Sequence, residues 1–126
     1  MNARIITQVL VVTAMLLNFT AKAQCDEWIW PENEKAIAEE KNVLYADQVK
    51  NEQYKKASIN HRWLLQKAPN LHSAIYINGE KIFKELADAE KDAAQKKIYV
   101  DSLMLIYDMR IENCGQEAYV LNRKAF

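Results

Sequence analysis

The chain has 126 residues, with 17 basic and 17 acidic side chains and a formal net charge of zero. That balance, with no clustered Lys/Arg stretch, argues against nucleic acid as a partner and makes no electrostatic case for anionic lipid. Only two glycines and two prolines are present, too few for the turns of an all-β domain, and the good helix formers Ala, Glu, Lys, Leu and Gln dominate.

Arg4 supplies a positive start. Ile5 to Leu17 is almost wholly apolar, and Ala21-Lys22-Ala23 forms a small-x-small site. That order predicts a secretory signal peptide over residues 1–23, cut after Ala23. The apolar run falls short of the roughly 20 residues that span a bilayer, so an uncleaved anchor is the lesser alternative. Cys25 sits just past the cut and raises lipoprotein processing. Lys22-Ala23-Gln24 suits lipid attachment badly, however, and soluble export to the periplasm or the exterior is the expectation. After cleavage 103 residues remain, with a net charge of about −2 once Arg4 and Lys22 are gone. They are expected to form an extension over 24–30 and one helical domain over 31–126, with no membrane insertion.

Pro31 opens the first helical pattern, and Glu32 and Glu34 favour the helix dipole in its first turn. Ala36, Ala38, Val43, Leu44 and Ala46 recur at helical spacing as far as Val49, and Asn51-Glu52-Gln53 reads as a turn. A second helix is predicted from Tyr54 to Lys67, with Tyr54, Ala57, Ile59 and Trp63-Leu64-Leu65 as its apolar residues. Pro69-Asn70 ends it. A third runs from Leu71 to Ala89 on Ile75, Ile77, Ile82, Phe83, Leu86 and Ala87. Asn78-Gly79 is also a hairpin dipeptide, but its flanks do not alternate, so Gly79 is read as a close-packing glycine within a helix. The charged, alanine-rich stretch from Ala89 to Lys96 is either a helix extension or a polar loop. A fourth helix covers Lys97 to Asn113, with Tyr99, Val100, Leu103, Met104, Ile106, Tyr107, Met109 and Ile111. Cys114-Gly115 stops it, the glycine being suited to a left-handed conformation. Gln116 to Phe126 begins a fifth helix.

The fold class expected is therefore all-α: two antiparallel helical hairpins, one against the other, plus the start of a fifth helix. Lys41 and Ile75 stand 34 residues apart at corresponding places in the two hairpins. Leu44, Tyr54, Ala57, Pro69 and Gly79 sit where the tetratricopeptide (TPR) consensus places such residues. On these the chain from Pro31 to Phe126 resembles a TPR protein, in particular the N-terminal part of exported repeat proteins of bacterial envelopes. Lys41, Tyr45, Gln48, His61 and Leu64 replace the family's usual Trp, Gly, Tyr, aromatic and Ala. Around Asp88 to Lys97 about a dozen extra residues are needed to restore the register. The resemblance implies a peptide-binding groove on the outward side of each first helix. Carried over, its residues are Asn42, Val49, Ser73, Tyr76, Glu80, Phe83 and Lys84, flanked by Glu39, Ala46 and Lys50. The partner implied is another protein or peptide of unknown identity.

No catalytic, cofactor or metal site is expected. His61 and His72 have no second ligand at a metal spacing, and packing is the expectation for His61. The carboxylates lie on polar helix faces, Ser102 lacks a nucleophile frame, and two glycines make no phosphate loop. Trp28, Trp30 and Pro31 form either a hydrophobic cap over the end of the first hairpin or an exposed aromatic binding pair. Cys25 and Cys114 are the only cysteines. One disulfide is expected in an oxidising compartment, with two free thiols or a lipidated Cys25 as alternatives. The function expected is a non-enzymatic protein–protein interaction module of the cell envelope. The alternative is a self-associating unit or the opening segment of a longer helical array.

Overall fold

A computed structural model describes residues 25–125. The predicted signal peptide, and with it the expected cleavage site, lies outside the described residues. A 3₁₀ turn over Glu32–Glu34 leads into α1 (Lys35–Lys50). It is followed by α2 (Tyr54–Lys67), α3 (Ala74–Ala89), α4 (Ala93–Cys114) and α5 (Glu117–Lys124). Among the described residues there is no strand. The molecule is all-α: α1 pairs with α2, α3 pairs with α4, α2 packs on α3, and α5 closes on α4.

Local chemistry accounts for the boundaries. Proline starts the first turn with φ −67°, and the 3₁₀ segment delays the regular helix to Lys35. Asn51 and Glu52 close α1, with the Asn51 amide on the Asp47 carbonyl, the Glu52 amide on that of Val49, and Glu52 at φ +57°. The third helix begins three residues later than Leu71. Leu71 is itself buried and turns back to bond the Ala68 carbonyl, and His72 Nδ1 accepts the Ala74 amide at 3.0 Å. The fourth begins four residues before Lys97, because Asp92 caps it by accepting the Gln95 amide at 2.8 Å. The charged stretch is thus a short loop over 90–92 followed by the first turn of α4. Gly115 ends α4 with φ +76° and ψ −122°, a positive φ as expected but outside the left-handed helical region, which Gln116 takes instead at φ +52° and ψ +30°.

The core is built on Tyr45, Leu64, Leu71, Ile75, Tyr76, Ile82 and Ile106, all essentially sealed from solvent. Gly79 sits at its narrowest point. A Cβ there would lie 2.7 Å from His61 Cε1 on α2 and 3.0 Å from Ile106 Cδ1 on α4. Only a residue without a side chain lets α2 and α4 both close on α3 at this level. The apolar stripes expected from spacing are partly wrong. Val43 is 66% and Ile59 71% exposed, and the inward faces are Ala38, Tyr45 and Val49 on α1 and Ala57, His61 and Leu64 on α2.

Residues 25–31 form a strap across the loop between α2 and α3. The Ile29 amide bonds the Leu71 carbonyl, and the Ser73 amide bonds the Cys25 carbonyl, both at 2.9 Å. Cys25 and Cys114 stand at disulfide distance, 2.05 Å between sulfurs, at a sequence separation of 89. Trp28 lies flat between Trp30 and His72, with ring centroids 5.3 and 4.4 Å away, and Trp30 packs against the core.

Candidate functional site

The helix lengths create the main concavity. The fourth helix has 22 residues and α5 only 8, so at about 1.5 Å per residue α5 covers roughly a third of its neighbour. Beyond the end of α5 the α3–α4 hairpin is left bare. A cleft of about 750 Å³ opens there. Its walls are Glu80, Lys84, Ala87 and Asp88 from α3, Lys96, Val100, Leu103, Met104 and Tyr107 from α4, and Tyr119, Asn122 and Arg123 from α5.

The cleft has a charged floor and an apolar wall. Arg123 Nε reaches both Glu80 carboxylate oxygens, at 2.8 and 2.9 Å, and its Nη2 donates to Glu80 Oε1 as well. The Glu80 side chain is 12% exposed, so the fork-on-carboxylate geometry supplies the partner that a nearly buried charge requires. Glu80 in turn raises the affinity of Arg123 for its proton. Burial, reinforced by the nearby Glu80 charge, pushes the Tyr107 hydroxyl above its ordinary range. With its carboxylate engaged by arginine, Glu80 serves as an anchor for α5. At the rim, Lys84 and Asp88 form an exposed pair at 2.6 Å, which by its hydrogen bond raises the lysine and lowers the acid. Lys124 reaches Asp108 at 2.5 Å, a second tie from α5 to α4.

The seven residues carried over as a groove do not form one surface. Glu80 and Lys84 line the cleft. Val49, Tyr76 and Phe83 are not on a groove surface: all three are buried, and the Tyr76 hydroxyl donates to the Pro69 carbonyl at 2.7 Å. Val49 is on the inward face of α1, which packs on α2, and α3 packs against α1, α2 and α4, so its apolar residues are consumed on three sides. Ser73 is also displaced from the expected surface, because it lies under the N-terminal strap, bonded to Cys25. Asn42 stands on α1 outside the cleft, half-buried, with Oδ1 sealed and without a hydrogen-bond partner.

Sequence reasoning missed the α4 and α5 walls. A signal was present: Val100, Leu103 and Met104 sit beside Tyr99, Ile106 and Tyr107, more apolar residues than one buried stripe can use. Of the histidines, His61 is sealed in the core, its Nε2–H donating to the Ile75 carbonyl at 2.5 Å, and burial holds its pKa below the usual value. Its Nδ1 has no partner. His72 caps α3 and stacks on Trp28. Among the described residues no three His, Cys, Asp or Glu side chains converge as metal ligands, and no helix is long and apolar enough to cross a membrane.

No protein-family model, curated protein or solved structure matches this chain.

Proposed function

We propose that this chain is a TPR-like, non-enzymatic module that works outside the cytoplasm and binds another protein through the cleft at the bare end of the α3–α4 hairpin. The observation that carries the reading is the apolar strip of Val100 with the half-buried Leu103 and Met104 on one wall of the cleft, edged by Lys84 and Lys96. An apolar centre with a charged rim is the anatomy of protein-binding surfaces. The export half rests on the N-terminal signal pattern, and a cysteine pair at disulfide distance accords with an oxidising compartment.

The test is affinity capture from envelope extract with the tagged, oxidised protein, run beside a Leu103→Asp, Met104→Glu variant. A partner recovered in near-equal amount by the parent and lost by a folded variant supports the reading. A partner retained by the variant moves the interface off the cleft. Capture of the chain by itself alone, reversed by the same substitutions, favours the self-associating alternative. Sedimentation over a concentration series then separates monomer from assembly.

A further inference from the structure

A second pocket, of about 510 Å³, lies where α4 turns into α5, and Arg110, Gln116, Glu117, Ala118 and Tyr119 line it. Arg110 is only 5% exposed, yet among the described residues it has no acidic partner within ion-pair distance. Its only hydrogen-bond acceptor there is the neutral amide oxygen of Gln116, which receives Nε at 2.9 Å and Nη2 at 2.7 Å. The guanidinium also lies 4.9 Å from the centre of the Tyr119 ring. A buried cation is costly when only neutral groups face it, and a ring face repays part of that cost.

Part of this guanidinium is left without a protein acceptor beside the pocket that Arg110 lines. Of five N–H donors in the group, two are taken by Gln116. The remaining N–H groups, on Nη1 and Nη2, have no protein acceptor among the described residues. Nη1, which has no partner, is not among the buried polar atoms that lack one, so this nitrogen is not sealed, and Arg110 lines the pocket. That end-on pair is the fork that takes a carboxylate or phosphate with two parallel bonds.

The backbone supplies further donors. The amides of Glu117, Ala118 and Tyr119 open α5 and have no protein acceptor among the described residues; the first bond of the helix is that of Val120 to the Gln116 carbonyl. No side chain caps this end. Gln116 is the residue that both holds Arg110 and begins the helix, so the cation and the free amides are set in one place. One opposing charge is present, the exposed Glu117 at the pocket's edge.

We propose that this pocket is an oxyanion site, in which Arg110 and the first amides of α5 grip a carboxylate or phosphate group. It does not depend on the protein-binding role of the neighbouring cleft, since the donors are different groups. The experiment is an amide NMR titration of the oxidised protein with inorganic phosphate and, separately, with acetate, at ionic strength held constant with sodium chloride. Saturable shifts of the Glu117, Ala118 and Tyr119 amides with either anion are expected, and saturation by one alone identifies the source as phosphate-type or carboxylate-type. Arg110→Gln should weaken binding about tenfold or more, as loss of a charge-assisted hydrogen bond does. Glu117→Gln, which removes the opposing charge without touching Arg110, should tighten it. Shifts that do not saturate, that appear equally with chloride, or that persist in a folded Arg110→Gln protein would overturn the site. If Arg110→Gln does not fold, the Glu117→Gln protein decides, and unchanged or weaker binding overturns the proposal.

Discussion

The two ends of the α3–α4 hairpin are finished in different ways. At one end the strap crosses the α2–α3 loop, backbone bonds tie it to Leu71 and Ser73, and the Cys25–Cys114 pair anchors it to the last residue of α4. At the other end α4 stands bare beyond α5, and its apolar residues face a cleft. The contrast shows how a small helical protein divides its apolar surface. One end is consumed in holding the chain together, and at the other a cleft opens between α3, α4 and α5. The buried Val120 and two polar ties, Glu80–Arg123 and Asp108–Lys124, hold α5 in place.

Three changes would break or sharpen this contrast. The largest effect should follow Cys25→Ser with Cys114→Ser. Opening a loop of 89 residues costs roughly 4–5 kcal/mol in the chain-entropy model, a figure that engineered cases often fall below. The urea midpoint should drop sharply, and the strap amides of Ile29 and Ser73 should exchange faster while the cleft keeps its protection pattern. Loss of protection at both ends together would show that the two ends form one cooperative unit.

Between the ends, Gly79→Ala tests the narrow point that both depend on. Alanine is the better helix former by about 1 kcal/mol, but its Cβ would meet the sealed His61 ring at 2.7 Å. Overpacking should win and destabilise the protein by roughly 1–3 kcal/mol. A stabilised variant would mean that the ring has room to move.

The smallest effect is expected at the open end. Arg123→Ala removes the partner of Glu80, but the arginine side chain is 45% exposed, so water screens the pair and the loss should be about 1 kcal/mol. Its signature is local: faster amide exchange at Val120 with little change around Tyr45. Uniform acceleration would mean that α5 belongs to the core and is not an appendage.

Helix number, order and approximate limits were legible, because the signals that mark them are local. Asn51-Glu52-Gln53, Pro69-Asn70 and Gly115 each act on their own backbone, and the second helix runs from Tyr54 to Lys67 as spacing predicts. The start of α4 was not legible as such. Its cap, Asp92, lies in a stretch equally suited to loop or helix, and only the placement of the hairpin made it the first residue of the turn. The candidate site was half legible. Glu80 and Lys84 were found by their position on the third helix, while Tyr76 and Phe83, beside them in sequence, are sealed in the core.

By itself the sequence determined the all-helical class, the turns and the pairing partner available to each cysteine. These follow from backbone preference and from counting. Which side of each helix faces inward was decided only by the tertiary structure. Apolar residues surround α1 and α4 on more than one side, so Val43 and Leu103 have the chemistry of core residues. Whether such a residue is buried depends on which side of its helix a neighbour packs against, and that is a property of the assembled chain.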